Sequence, residues 1–163
     1  MTVRDHLSQM SSSEIATLLD SEYTEPEKPK KRKARWELFP NFKPSEFVCP
    51  CGKCEMSKPE VAEENVPEEL LFIAQATRNV HGMMIITCGG RCKEFNDSLP
   101  NADPNSKHLT WEAIDYYIPN VTSTVSGRNN VLAFQKKLPG FKYGYHNSNG
   151  KYPRMGSAIH VNV

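Results

Sequence analysis

The sequence predicts an α+β fold, a small antiparallel sheet with flanking helices, preceded by an N-terminal arm. Three observations carry this. One stretch, 67–80, has strong helical periodicity, while 113–118 and the C-terminal 158–163 alternate with period two, and residues 1–35 offer little that a core could use. At 163 residues the chain is long enough for one hydrophobic core and short for two.

Taken in order, residues 11–20 read as a short helix, because Ser11 and Glu14 form a capping box and Ile15, Leu18 and Leu19 make a narrow apolar stripe. Residues 22–35, rich in Lys, Glu and Pro, read as an extended linker. The helix before it is then either a docked terminal helix or a tethered peg for a partner. The domain is expected to begin at Trp36, where Trp-Glu-Leu-Phe-Pro-Asn-Phe brings aromatic rings that need covering. The division is therefore an arm over 1–35 and a domain over 36–163.

Within that domain, 67–80 starts with a proline and two glutamates, repeats Leu70, Ile73, Ala74 and Thr77 at helical spacing, and stops at Gly82. The apolar run 83–87 reads as a buried strand that delivers Arg91 into a turn. Over 113–118, Ala113, Asp115 and Tyr117 share one strand face and Ile114, Tyr116 and Ile118 the other. Val131, Phe134 and Leu138 mark a helix ended by Pro139-Gly140. In the last strand Ile159, Val161 and Val163 face the core, while His160 and Asn162 face away. No internal repeat is found.

Composition excludes several classes. Twenty basic residues nearly cancel nineteen acidic ones, for a formal charge of +1, so the whole molecule points to no polyanionic partner. The basic run 28–35 reads as solvated linker, and no nucleic-acid function is drawn from it. No segment approaches the roughly 18–20 apolar residues of a membrane span, and the first residues lack the apolar core of a secretory signal. The expectation is a chain made in the cytoplasm that does not export itself. Three of the five cysteines, Cys49, Cys51 and Cys54, fall within six residues, and Cys88 or Cys92 can complete a structural metal site. Free thiols are the alternative.

The polar residues on the strand faces carry the chemistry. Asp115 and His160 are both presented to one side of a sheet, and His108 sits in a loop that can fold over the strand end. Two imidazoles and a carboxylate form the ligand set of a catalytic zinc with one open position. Ser106-Lys107-His108-Leu109-Thr110-Trp111-Glu112-Ala113-Ile114-Asp115 resembles the S-x-H-x-x-G-x-A-x-D motif of the M15 zinc metallopeptidases, the D-alanyl-D-alanine carboxypeptidase and peptidoglycan endopeptidase family. Ile159-His160-Val161-Asn162 resembles the family's terminal H-x-D or H-x-H segment, and Ile85-Ile86-Thr87-Cys88-Gly89-Gly90-Arg91 is similar to its I-T-S-G-Y-R. With the segment 47–54 and the helix that follows, the resemblance spans about residues 38–163 in family order.

The resemblance implies Zn2+ on one sheet face, bound by His108, Asp115 and His160. Arg91 matches the family arginine that contacts the substrate or developing oxyanion, and Ser106 and Asn96 match motif positions near the site. The implied reaction is hydrolysis of an amide bond in a peptidoglycan stem peptide. Three departures are visible: Ser157 and Asn162 stand where the family places an acidic proton acceptor, Trp111 stands for glycine, and Cys88 for serine. An asparagine orients water but accepts no proton at neutral pH. Glu112 has an odd separation from Asp115, so His146, in the loop 145–150, is the expected substitute base, and Asn162 the expected orienting group. The setting implied is a bacteriophage lysis or virion-associated enzyme acting at the bacterial wall. Its rival is a peptidase-fold structural protein that docks into a phage particle through the N-terminal arm.

Overall fold

The computed structural model describes residues 33–163, with side chains described from Arg35 onward. The helix expected over 11–20 and most of the linker lie outside the described residues. The linker's last residues are helical: α1 (Lys33–Glu37) begins ahead of Trp36. Arg35 Nη2 and Trp36 Nε1 both donate to the carbonyl of Glu63, at 2.5 and 3.1 Å, which ties this helix to the next.

That next helix, α2 (Pro59–Asn65), has proline in its first turn and buries Ala62. The strongest sequence signal becomes α3 (Glu68–His81), which buries Leu70, Leu71, Ile73, Ala74 and Thr77 and ends at Gly82. A short α4 (Lys93–Ser98) and then α5 (Val125–Gln135), capped by the Thr124 hydroxyl, complete the α-helices of the described residues. None of the described helices is long and apolar enough to cross a membrane.

The sheet comprises β1 (Ile85–Cys88), β2 (Ala113–Tyr117), β3 (Tyr143–His146) and β4 (Ile159–Asn162). All neighbours pair antiparallel, in the order β1-β2-β4-β3. Residues paired across strands share a face. Tyr116, Ile159 and His146 therefore form one row on the face that joins the core with Leu70, Ile73, Val131 and Val161. The other row runs Cys88, Asp115, His160, Tyr145 across all four strands.

The β1 end of that row depends on a bulge. Ile86 pairs with Tyr116 and Cys88 with Asp115, so Thr87 is an extra residue in β1, and its hydroxyl donates to the Asp115 carbonyl at 3.1 Å. Without the insertion Cys88 would point to the core face; with it, Cys88 joins Asp115.

Candidate metal centres

His108 reaches the polar row from the side. It lies in a 3-10 turn (Lys107–Thr110) whose first residue is capped by Ser106: the Ser106 hydroxyl accepts from the His108 N–H at 3.4 Å. The imidazole is almost wholly buried, and its Nδ1 donates to the Gly89 carbonyl at 2.7 Å. A proton on Nδ1 leaves the Nε2 lone pair facing inward in the neutral ring.

Nε2 lies 3.3 Å from Asp115 Oδ2 and 3.2 Å from His160 Nδ1, and His160 Nδ1 is 2.8 Å from Asp115 Oδ1. Nitrogen and oxygen ligands about 2.0–2.2 Å from a tetrahedral ion stand roughly 3.3–3.6 Å apart. The three side chains thus fit one divalent ion with little rearrangement. As they stand, they satisfy one another by charge. Burial opposes charge on His108, but its contacts with Asp115 and Cys88 outweigh this and hold it up at about 10. Burial likewise opposes charge on Asp115, and the two imidazoles outweigh it, keeping the carboxyl well below the usual carboxylate range. An ion would take the place of the His108 proton.

Arg91, in the turn after β1, sets a guanidinium beside this group: Nη2 lies 3.5 Å from Asp115 Oδ2 and Nη1 donates to Asn96 Oδ1 at 3.2 Å. Its Nε is buried without an acceptor among the described residues. Asn96 is fully buried and donates to the Asp103 carbonyl at 3.0 Å, so it holds Arg91 and does not line the cleft as a substrate contact. Ser106 and Asn162 do line the cleft, of about 410 Å³, that opens over His108, Asp115 and His160. Tyr145 lines it beside His160, with its ring centroid 4.7 Å from that of His160 and 4.8 Å from that of Tyr152.

His146 is not there. It lies in β3 rather than in a loop, on the core face with Ile159, where Nε2 meets Asn129 Oδ1 at 2.8 Å and Nδ1 accepts from Arg128 Nε at 3.4 Å. The sheet stands between it and the group of His108, Asp115 and His160, which removes it as a base for that group. Glu112 is turned aside as well, taking Lys107 Nζ at 3.0 Å and the Thr110 hydroxyl at 2.5 Å. Asp103, unnoticed in the sequence, is the one carboxylate besides Asp115 among the residues lining the cleft. No periodicity marks it, because it lies in a turn.

Trp111, which stands where the similar motif has glycine, takes a left-handed backbone with φ of 64°. Its ring packs over Gly90, where a Cβ would come within 2.5 Å of it. In the motif similar to I-T-S-G-Y-R, Gly90 stands where tyrosine does. The space over Gly90 takes the indole, which explains how the large residue is accommodated without lining the cleft.

Of the two cysteines that could complete the group in the sequence, the structure brings up Cys92 and sets Cys88 apart. Cys88 joins His108 and Asp115, while Cys49, Cys51, Cys54 and Cys92 bring their sulfurs within 4.8 Å of one another, a second group able to hold a metal ion. All five are unbridged. Burial pushes the Cys49 thiol up to about 12, whereas the Ser57 hydroxyl and the Lys53 N–H draw Cys51 down to about 6.

No family model, curated protein or solved structure matches the chain.

Proposed function

We propose that the protein is a zinc-dependent peptidase that cleaves amide bonds in peptidoglycan stem peptides. The observation that carries this is the convergence of His108, Asp115 and His160 on one ion-sized point at the floor of an open cleft. Motif resemblance supplies the reaction class; the lining of the cleft supports it. Bound zinc would supply Lewis acidity, activating water and polarising the scissile carbonyl.

The chain's own groups do the rest. Arg91 offers positive charge where negative charge develops on the peptide oxygen, or where a terminal carboxylate binds. Asn96 holds that guanidinium in place. Asp103 is the carboxylate assigned to accept a proton, with Asn162 orienting the water from the His160 side of β4. Tyr145 and Tyr152 give the substrate an aromatic wall, and Arg154 lines the adjoining cleft that shares Arg91 and Asp115.

Cys88 favours a second reading. Its sulfur lies within 4.8 Å of the ligand atoms of His108 and Asp115. As a fourth ligand it would close the coordination sphere, as in structural zinc sites, and leave a peptidase-fold structural protein. The deciding experiment is hydrolysis of purified peptidoglycan, with and without chelator, by the native protein and by Cys88→Ala. The peptidase reading expects chelator-sensitive release of peptide products by both. Zinc binding with no hydrolysis by the native protein, and activity appearing only in Cys88→Ala, would establish the closed site instead.

A further inference from the structure

We propose that Cys49, Cys51, Cys54 and Cys92 bind one zinc ion as four thiolates, and that this ion fixes the turn that carries Arg91. The metal site stands independently of the peptidase reading; only the value of fixing Arg91 rests on it.

The geometry is that of a single ion. Four sulfurs at about 2.3 Å from a tetrahedral centre stand about 3.8 Å apart. Cys51 Sγ and Cys92 Sγ are 3.9 Å apart, far beyond the roughly 2.05 Å of a disulfide. A multi-iron cluster would need a wider cage. Soft thiolates without oxygen or nitrogen ligands select zinc among the common divalent ions.

The surroundings suit thiolates. Cys49 Sγ accepts from Cys92 N–H, Cys51 Sγ from Lys53 N–H, and Cys92 Sγ from Phe95 N–H, each at 3.4 Å. The Ser57 oxygen lies 3.4 Å from both Cys51 Sγ and Cys54 Sγ while donating to the Cys49 carbonyl at 3.1 Å. Gly52, at φ of 68°, lets the chain turn back between Cys51 and Cys54. Such outer contacts orient ligands and spread their negative charge.

The position gives the ion its role. Cys92 is the N-cap of α4 and adjoins Arg91, while the other three ligands come from a loop some forty residues earlier in the chain, Cys51 lying 41 positions before Cys92. Backbone bonds already join the two segments, with Gly90 N–H on the Phe47 carbonyl at 2.7 Å. One ion across them would hold the Arg91 turn from its far side.

The test uses the full chain purified with zinc present. Bound metal should be about two zinc ions per native chain and about one in Asp115→Ala. Cobalt-loaded Asp115→Ala should show thiolate-to-cobalt charge-transfer absorption. Amides over 88–96 in zinc-loaded Asp115→Ala should exchange hydrogen more slowly than after chelation. Cys51→Ser with Cys54→Ser should lose that absorption; should this variant not fold, the native and Asp115→Ala measurements decide. A cobalt form lacking thiolate absorption, bound iron, or a Cys51–Cys92 disulfide in the protein as purified overturns the site. Unchanged exchange over 88–96 overturns the fixing of Arg91. Failure to hydrolyse peptidoglycan with the thiolate centre intact counts only against the peptidase.

Discussion

A carboxylate set between two imidazoles and beside a guanidinium keeps its charge at almost any pH, and Asp115 is held in this way. Removing it should cost the site its ion: Asp115→Ala is expected to lose chelator-sensitive hydrolysis altogether, with metal content as the check that ligation has failed. Proton transfer is a separate matter, worth typically about 10² to 10⁴ in rate. Asp103→Asn is expected to lower turnover by an amount approaching that range. Asn162→Asp, which places a carboxylate on the His160 side of β4, is expected to raise it. Peptide release measured for the two variants against the native chain tests the assignment, and an unchanged rate in Asp103→Asn would remove Asp103 from the mechanism. That Asp115 and His160 share a face was legible in the sequence, because alternation acts locally. The places of Asp103 and Tyr145 were not: Asp103 lies in a local turn that no periodicity marks, and Tyr145 joins the polar row only through the pairing of β3 with β4.

At the level of elements, a bulge and the packing of Trp111 on Gly90 shape the site. Thr87 turns Cys88 onto the polar face, and Trp111 fills the space that Gly90 leaves. Gly90→Ala is expected to destabilise the fold by about 1–3 kcal/mol, because its Cβ would meet a buried ring. Gly90→Tyr and Trp111→Gly should each destabilise alone, the first by overpacking and the second by leaving a cavity. Combined, they should recover part of the loss, with a coupling of about 0.5–3 kcal/mol. Urea unfolding of the two single variants and the double variant measures this, and strict additivity would show that the two positions do not share one space. The strand β3 escaped the sequence reading because it is short and contains Gly144; its place in the sheet comes from pairing with β4.

For the whole molecule, stability and metal binding are linked through pH. In the metal-free protein His108 is raised from 6.5 to about 10, so its contribution is complete below about 6.5 and is lost as pH rises towards 10. Asp115 is lowered from 3.8, so its contribution is present above about 3.8 and is lost as pH falls below it. These two groups favour the chelated protein between about pH 4 and 6.5. Zinc needs deprotonated imidazole, so the loaded protein gains over the same rise. The gap in melting temperature between zinc-loaded and chelated protein should therefore widen from about pH 6 to 8. Asp115→Ala should show only the part due to the cysteines, and a gap of constant width would contradict the linkage.

What the sequence by itself determined is whatever short-range periodicity encodes: α3, the facing of Asp115 with His160, the burial of Ile159 and Val161, and the α+β class. An alternation of period two leaves a strand only two choices, and the apolar residues make that choice. Tertiary structure decided the rest. It put His146 behind the sheet, separated Cys88 from the other cysteines, and set Trp111 against Gly90. Each outcome depends on which strands are neighbours and in what register, and a one-residue shift in register reverses every side chain in the strand.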